Sequence, residues 1–188
     1  MKTEAFWSGV DGDAYTARNR VDWRKRIKFW REITETTAAR SVFELGANSG
    51  WNLSAIQAAT YKVYPVETYG YDLNETAATQ CAMAGHTLTH YPPPVKSVDL
   101  AFTVGVLIHV SDDHLARTMQ TVVDTSADYV LAVEYGGDAR REINYRGQDG
   151  LCWARDYGTL YQAMGLKPVS TGGAGDGFDD CTFWLLRR

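Results

Sequence analysis

A short apolar run that stops at a glycine-rich turn constrains this chain more than any other feature. Ser41–Leu45 (SVFEL) is followed by Gly46-Ala47-Asn48-Ser49-Gly50 and then by Trp51–Ala59, a segment of helical character. A buried strand, a tight turn and a helix in that order form the first unit of an open α/β sheet. Glycines at such a turn let the backbone approach a ligand closely, and the helix behind it presents free N–H groups and the positive end of its dipole. Asn48 replaces the middle glycine of the dinucleotide-binding G-x-G-x-x-G pattern, and no glycine closes it. That weakens a pyrophosphate reading.

The alternation continues along the chain. Thr68–Asp72 reads as a second strand ending on an acid, and Asn74–Ala84 as a helix that Asp72 or Asn74 caps. Val98–Val104 is a third strand, and Ser111 or Asp112 opens a helix running to about Val123. Tyr129–Tyr135 is a fourth strand, and Trp153–Met164 a helix that stops at Gly165. The last two strands, Leu166–Ser170 and Cys181–Leu186, are joined through Gly172–Gly177, a connection too short for a helical crossover. They are expected to pair as a hairpin, so the final strand runs antiparallel. The expected fold is α/β: a doubly wound, Rossmann-like sheet, mostly parallel, with an antiparallel C-terminal hairpin strand.

At 188 residues the chain is one domain. Residues 1–37 form an N-terminal helical segment and residues 38–188 the core. Within the former, Val21–Glu35 reads as an amphipathic helix with Trp23, Ile27, Trp30 and Ile33 at helical spacing. The basic run Arg24-Lys25-Arg26 is expected on a solvated face: with a net charge of −4, nothing marks a nucleic-acid or membrane binder. Pro92-Pro93-Pro94 is expected to be a stiff connector. Three widely spaced cysteines form neither a disulfide framework nor a metal-ligand pattern, and no signal-peptide or membrane-length apolar run appears. A soluble, cytoplasmic protein that requires no metal is expected.

Asp72 lies 22 residues beyond Gly50 (72 − 50), at the end of the second strand. A carboxylate there can accept both hydroxyls of an adenosine ribose, whichever nucleoside cofactor carries it. The bland alternative is a strand-end acid that caps the next helix.

Four blocks carry a resemblance. They are Phe6–Asn19 (FWSGVDGDAYTARN), Glu44–Asn52 (ELGANSGWN), Val98–Val110 (VDLAFTVGVLIHV), and Glu134-Tyr135 with Tyr145-Arg146-Gly147 and Arg155-Asp156-Tyr157. The second resembles the first motif of class I S-adenosylmethionine-dependent methyltransferases. Together the four resemble the methylases associated with pseudaminic acid biosynthesis. The resemblance implies the methyltransferase variety of the sheet, S-adenosylmethionine as cofactor and a small-molecule acceptor, such as a sugar or sugar-nucleotide oxygen or nitrogen. Val104 and Gly136-Gly137-Asp138 depart from the family's pattern on the substrate side.

On this resemblance Gly46, Ala47, Asn48, Gly50 and Asn52 pass close to the cofactor's methionine end, and Glu44 holds its ammonium. Asp72 and Leu73 take the ribose, His86–Tyr91 or backbone and apolar groups the adenine, and Thr103 and Gly105 lie near the methyl. His109 is either a general base or a residue that orients its loop; His114 is expected to be solvated. The N-terminal segment is expected to act as a lid carrying Tyr15, Arg18 and Asn19 to the substrate, with Arg18 pairing an anion. Glu134, Tyr145 and Arg146, at the sheet end that binds ligands, are candidates for a polar or anionic acceptor. Trp153 and Trp184 are expected in the core. The competing functions are a nicotinamide oxidoreductase, a non-catalytic cofactor-binding module and a cofactor-degrading enzyme.

Overall fold

The computed structural model describes residues 2–90 and 97–188; the Pro92-Pro93-Pro94 connector and Tyr91 lie outside the described residues. Helices α1 (Lys2–Ser8) and α2 (Val10–Arg18) precede a 3₁₀ turn, Trp23–Arg26, and α3 (Ile27–Thr37). The core then runs β1 (Ser41–Leu45), α4 (Trp51–Thr60), β2 (Glu67–Tyr71), α5 (Glu75–Met83), β3 (Thr87–Leu88) and β4 (Val98–Val104). It continues through α6 (Asp112–Thr125), β5 (Ser126–Tyr135), the small pair β6 (Arg141–Glu142) and β7 (Trp153–Ala154), α7 (Tyr157–Ala163), β8 (Lys167–Gly173) and β9 (Cys181–Arg187).

One sheet has the order β3-β2-β1-β4-β5-β9-β8. Neighbours from β3 to β5 are parallel, and β9 is antiparallel to both β5 and β8. The expected doubly wound sheet with its reversed final strand is therefore present. Side-chain alternation along the strands feeds two cores. Val42, Leu100, Phe102, Leu131 and Val133 face α3 and α4, where Phe29, Trp30, Leu53 and Ile56 pack. Phe43, Ala101, Val130 and Ala132 face the other side, against Leu115, Met119 and Val122 of α6 and Tyr157 and Tyr161 of α7.

Local chemistry explains two departures from the periodicity. The helix expected from Trp153 begins only at Tyr157, because Asp156 accepts hydrogen bonds from Thr159 N at 2.9 Å and Oγ1 at 2.6 Å. Trp153 and Ala154 pair instead with Glu142 and Arg141, and Trp153 is buried. The helix expected from Val21 opens as the 3₁₀ turn, capped by Asp22 through Arg24 N, and is α-helical only from Ile27. Elsewhere boundaries move by a residue or a few. Asn74, not Asp72, caps α5, its side chain accepting from Ala77 N at 2.9 Å.

Candidate active site

The strand order reverses between β1 and β4, and loops leaving the carboxyl ends of such strands diverge there to leave a crevice. A cavity of about 770 Å³ occupies that position, within the size range of small-molecule and cofactor sites. The β1–α4 turn forms one wall. Gly46 N and Ala47 N both donate to Tyr71 O, at 2.7 and 2.9 Å, which pins the turn to β2. Gly46 has φ +77°, and a Cβ there would lie 2.4 Å from Val106 Cγ2. Only glycine meets both conditions. Asn48 is left-handed as well (φ 45°), a conformation Asn tolerates, and its side chain accepts from Ser49 N at 2.8 Å.

Asp72 closes this wall. Its two oxygens accept from Asn48 N at 2.8 Å and Asn74 N at 2.9 Å, so the carboxylate is oriented but keeps lone pairs for a ligand. Burial raises its pKa, and the two backbone N–H groups oppose the rise.

Glu44 lies deeper. Two-residue alternation puts it on the same face as Val42, toward α3 and α4, and it is fully buried. Oε1 accepts from Asn52 Nδ2 at 2.6 Å, while Oε2 has no hydrogen-bond partner among the described residues. Burial pushes the pKa up to about 8, against the pull of Asn52 and of the nearby Arg26 charge. Asn52 Oδ1 accepts from Arg26 Nη1 at 2.8 Å and from Trp30 Nε1 at 3.3 Å. Arg26 Nε donates to Gly177 O at 2.8 Å, and the guanidinium lies 4.4 Å from the Phe178 ring centroid. A buried carboxylate with an idle oxygen and a fixed guanidinium thus share one asparagine. This is a donor set for a zwitterion, with the carboxylate for an ammonium and the cation for an acid group.

An aromatic group forms the opposite wall. Trp7 of α1 stacks 4.4 Å from His109 and 5.2 Å from Tyr15 of α2, and His109 lies 4.9 Å from Tyr145 on the loop between β6 and β7. Asn19 Nδ2 donates to Tyr15 Oη at 2.7 Å. His109 Nδ1 sits 2.6 Å from Leu151 O. A carbonyl only accepts, so Nδ1 carries the proton and Nε2 is the ring's acceptor. Burial lowers the His109 pKa to about 4 despite that hydrogen bond, so the ring is neutral at pH 7. Burial, with Tyr145 adding to it, pushes the Tyr15 phenol up to about 12.

The cavity brings together Glu44, Gly46, Ala47, Asn48, Asn52, Asp72, Leu73, Gly105, His109, Tyr15, Asn19, Tyr145 and Arg146. Four residues expected there do not line it. Gly50 turns away, its missing Cβ making room for His86 Cδ2 at 2.6 Å. Thr103 is fully buried within the sheet. Arg18 is exposed, its guanidinium 5.5 Å from the Tyr15 ring centroid. Glu134 is fully buried and spends its carboxylate on the backbone N–H groups of Val106, Leu107 and Ile108. His86 binds Ser54 Oγ and Thr68 Oγ1 behind the wall, whereas His114, expected in solvent, lines the cavity.

The residue that sequence reasoning missed is Arg26. Its neighbours Arg24 and Lys25 are exposed as expected, but Arg26 turns inward. The available signal was its place next to the apolar stripe Trp23, Ile27, Trp30. No group of His, Cys, Asp or Glu suited to a metal occurs among the described residues, and no described helix is long and apolar enough to cross a membrane.

No family model matches the chain, and no curated protein matches it by sequence. Solved structures do. Magnesium protoporphyrin IX methyltransferase from Synechocystis, with bound S-adenosylmethionine, aligns at TM-score 0.67 and 12% identity over 100% of this chain and 95% of that one. The chain carries the class I methyltransferase fold. The Burkholderia thailandensis 1,6-didemethyltoxoflavin-N1-methyltransferase shares this fold at TM-score 0.71 and 14% identity, over 95% and 85% of the two chains. The sugar N-methyltransferase KedS8 of a Streptoalloteichus species shares it at TM-score 0.68 and 12% identity, over 96% and 93%. Within the class I fold, the crevice at the β1–β4 switch point is where this chain's cavity lies.

Proposed function

We propose that this protein is an S-adenosylmethionine-dependent methyltransferase acting on a small-molecule acceptor, and that it works in the cytoplasm. The observation that carries the reading is the idle, fully buried Oε2 of Glu44 beside Arg26, at the switch point of a class I methyltransferase fold. An isolated carboxylate is costly to bury without a partner, and an amino-acid ammonium entering the cavity supplies one. Glu44 and Arg26, joined through Asn52, hold the two charged ends of the methionine moiety. Gly46, Ala47 and Asn48 shape the turn around it, and Asp72 with Leu73 receives the ribose.

S-adenosylmethionine would supply an electrophilic methyl on a sulfonium, to which the acceptor oxygen or nitrogen would bond in line as the bond to sulfur breaks and S-adenosylhomocysteine leaves. Positioning accounts for most of the acceleration. His109, held with its proton on Nδ1, takes the acceptor's proton at Nε2. Helices α1 and α2 form the lid, with Trp7, Tyr15 and Asn19 facing the acceptor beside Tyr145, whose ring lies 5.9 Å from that of Trp7, and Arg146. The resemblance of the four sequence blocks to pseudaminic-acid-associated methylases, and a sugar N-methyltransferase among the structural neighbours, support a sugar or sugar-nucleotide acceptor. The test is a screen of sugar nucleotides, amino sugars and planar hydroxylated compounds with S-adenosylmethionine, reading acceptor-dependent S-adenosylhomocysteine and a methylated product by mass. S-adenosylhomocysteine formed only with acceptor is the expected result; cofactor breakdown without acceptor contradicts the reading.

A further inference from the structure

The turn that carries His109, Val106–Val110, is gripped from both sides by the buried side chains of Glu134, whose pKa burial raises to about 7, and Arg155. Glu134 Oε1 accepts from Val106 N at 3.2 Å and Leu107 N at 3.1 Å, and Oε2 from Ile108 N at 3.3 Å. Arg155 Nη1 donates to Leu107 O at 3.2 Å and Nη2 to Val110 O at 3.1 Å. Nη2 also reaches Asp112 Oδ1 at 2.7 Å, tying the grip to the start of α6. Leu151 O takes the Nδ1 proton of His109 itself.

A five-residue turn at the edge of a cavity can be closed with water or apolar packing. Here it consumes a Glu with no exposed surface and an Arg that is 3% exposed, and desolvating both is expensive. Such a cost is understandable where a functional side chain must be held to within a fraction of an ångström. We infer that Glu134 and Arg155 are positioning residues, which act through the Val106–Val110 backbone to fix the tautomer and aim of His109. The inference rests on the reading of His109 as the proton acceptor.

Loosening the turn lets the ring tilt away from Leu151 O and take on water. The titratable groups sharing the cavity wall with His109 are Glu4 of α1, Tyr15 of α2, His114 and Arg117 of α6, and Tyr145 and Arg146 of the loop between β6 and β7. They stay in place in each variant below, and loss of the Glu134 or Asp112 carboxylate by itself would lower the His109 midpoint, so an upward move reports on the turn.

The experiment is histidine-selective ¹³C/¹⁵N NMR of the full chain across pH, with His109 assigned by difference from His109→Asn. The wild type is expected to show the Nδ1–H tautomer and to remain neutral to near pH 4, against the ordinary 6.5. In Arg155→Lys and Glu134→Gln the midpoint moves up toward 6.5 and the tautomer preference falls, while affinity for S-adenosylhomocysteine changes little. Should either buried variant fail to fold, the surface change Asp112→Asn, which unties Arg155, decides by a smaller shift in the same direction. Wild-type midpoint and tautomer in every folded variant overturn the inference. A wild type that binds no S-adenosylhomocysteine while His109 responds as described leaves the positioning role standing and removes the methyltransferase reading.

Discussion

Arg26 and Asn52 meet at 2.8 Å, and the same asparagine amide donates to Glu44 at 2.6 Å. One carboxamide thus presents its oxygen to a cation and its nitrogen to a buried acid, donor and acceptor being fixed on one planar group. The candidate cofactor pocket depends on this relay, because Asn52 gives Glu44 a donor and, with Gly177 O, holds the Arg26 guanidinium near it.

Asn52→Ala removes the donor to Glu44 and one acceptor of Arg26, which keeps Gly177 O. Leaving a buried carboxylate without its donor is expected to cost about 1–3 kcal/mol of stability, and affinity for S-adenosylhomocysteine should fall with it. Arg26→Ala removes only the cation and should weaken binding by roughly tenfold, about 1.4 kcal/mol, with a smaller stability cost. Thermal melts with and without ligand separate the two effects.

Glu44 sets a pH dependence. Its folded pKa of about 8 exceeds the ordinary 4.5, so the folded chain holds a proton that the unfolded chain has released. Stability therefore falls as pH rises through that window and is level above it. Glu44→Gln is expected to abolish this part of the fall while weakening the ligand. Binding an ammonium requires the ionised acid, so S-adenosylhomocysteine binding at pH 7 should release close to one proton. Calorimetry in buffers of differing ionisation enthalpy measures it.

His109→Ala removes the proton acceptor and leaves the β1–α4 wall intact. Turnover is expected to fall by about 10²-fold or more, with S-adenosylhomocysteine affinity unchanged. Because the wild-type imidazole is neutral down to about pH 4, the wild-type kcat/KM should show no acid limb near 6.5. A limb there argues against His109 as the base.

The lid is tested at Gly12. A Cβ at this position would lie 1.8 Å from Trp7 O and 2.9 Å from Asn74 Nδ2, and Asn74 Nδ2 also donates to Asp13 Oδ1 at 3.0 Å. Gly12→Ala should force α2 away from α1 and from Asn74 at the start of α5, and speed ligand release severalfold, with the core melting temperature little changed. Stopped-flow displacement of bound S-adenosylhomocysteine provides the check.

The sheet was legible because its signals are local. Ser41–Leu45, Thr68–Asp72 and Val98–Val104 are apolar runs punctuated by turns, and the short Gly172–Gly177 link allowed only a hairpin. The Gly46 turn and Asp72 were equally visible, since strand-end position follows from the same punctuation. What escaped depended on tertiary context. Arg26 faces inward because a 3₁₀ turn, which advances by about 120° per residue instead of 100°, shifts the phase of the amphipathic pattern. Glu134 looked like a ligand contact because strand ends usually are, yet the Val106–Val110 turn folds back over it. Arg18 projects outward from a helix whose orientation no local pattern specifies.

The most direct test of the central claim is calorimetric titration of S-adenosylhomocysteine into the wild type and Asp72→Asn. Asn keeps one acceptor for the backbone N–H groups that Asp72 now takes, but loses the charge that strengthens ribose hydrogen bonds. The account predicts saturable one-to-one binding by the wild type, weakened by roughly tenfold or more in a variant that still folds. A folded wild type that shows no binding, or a variant that binds as tightly as the wild type, would contradict it.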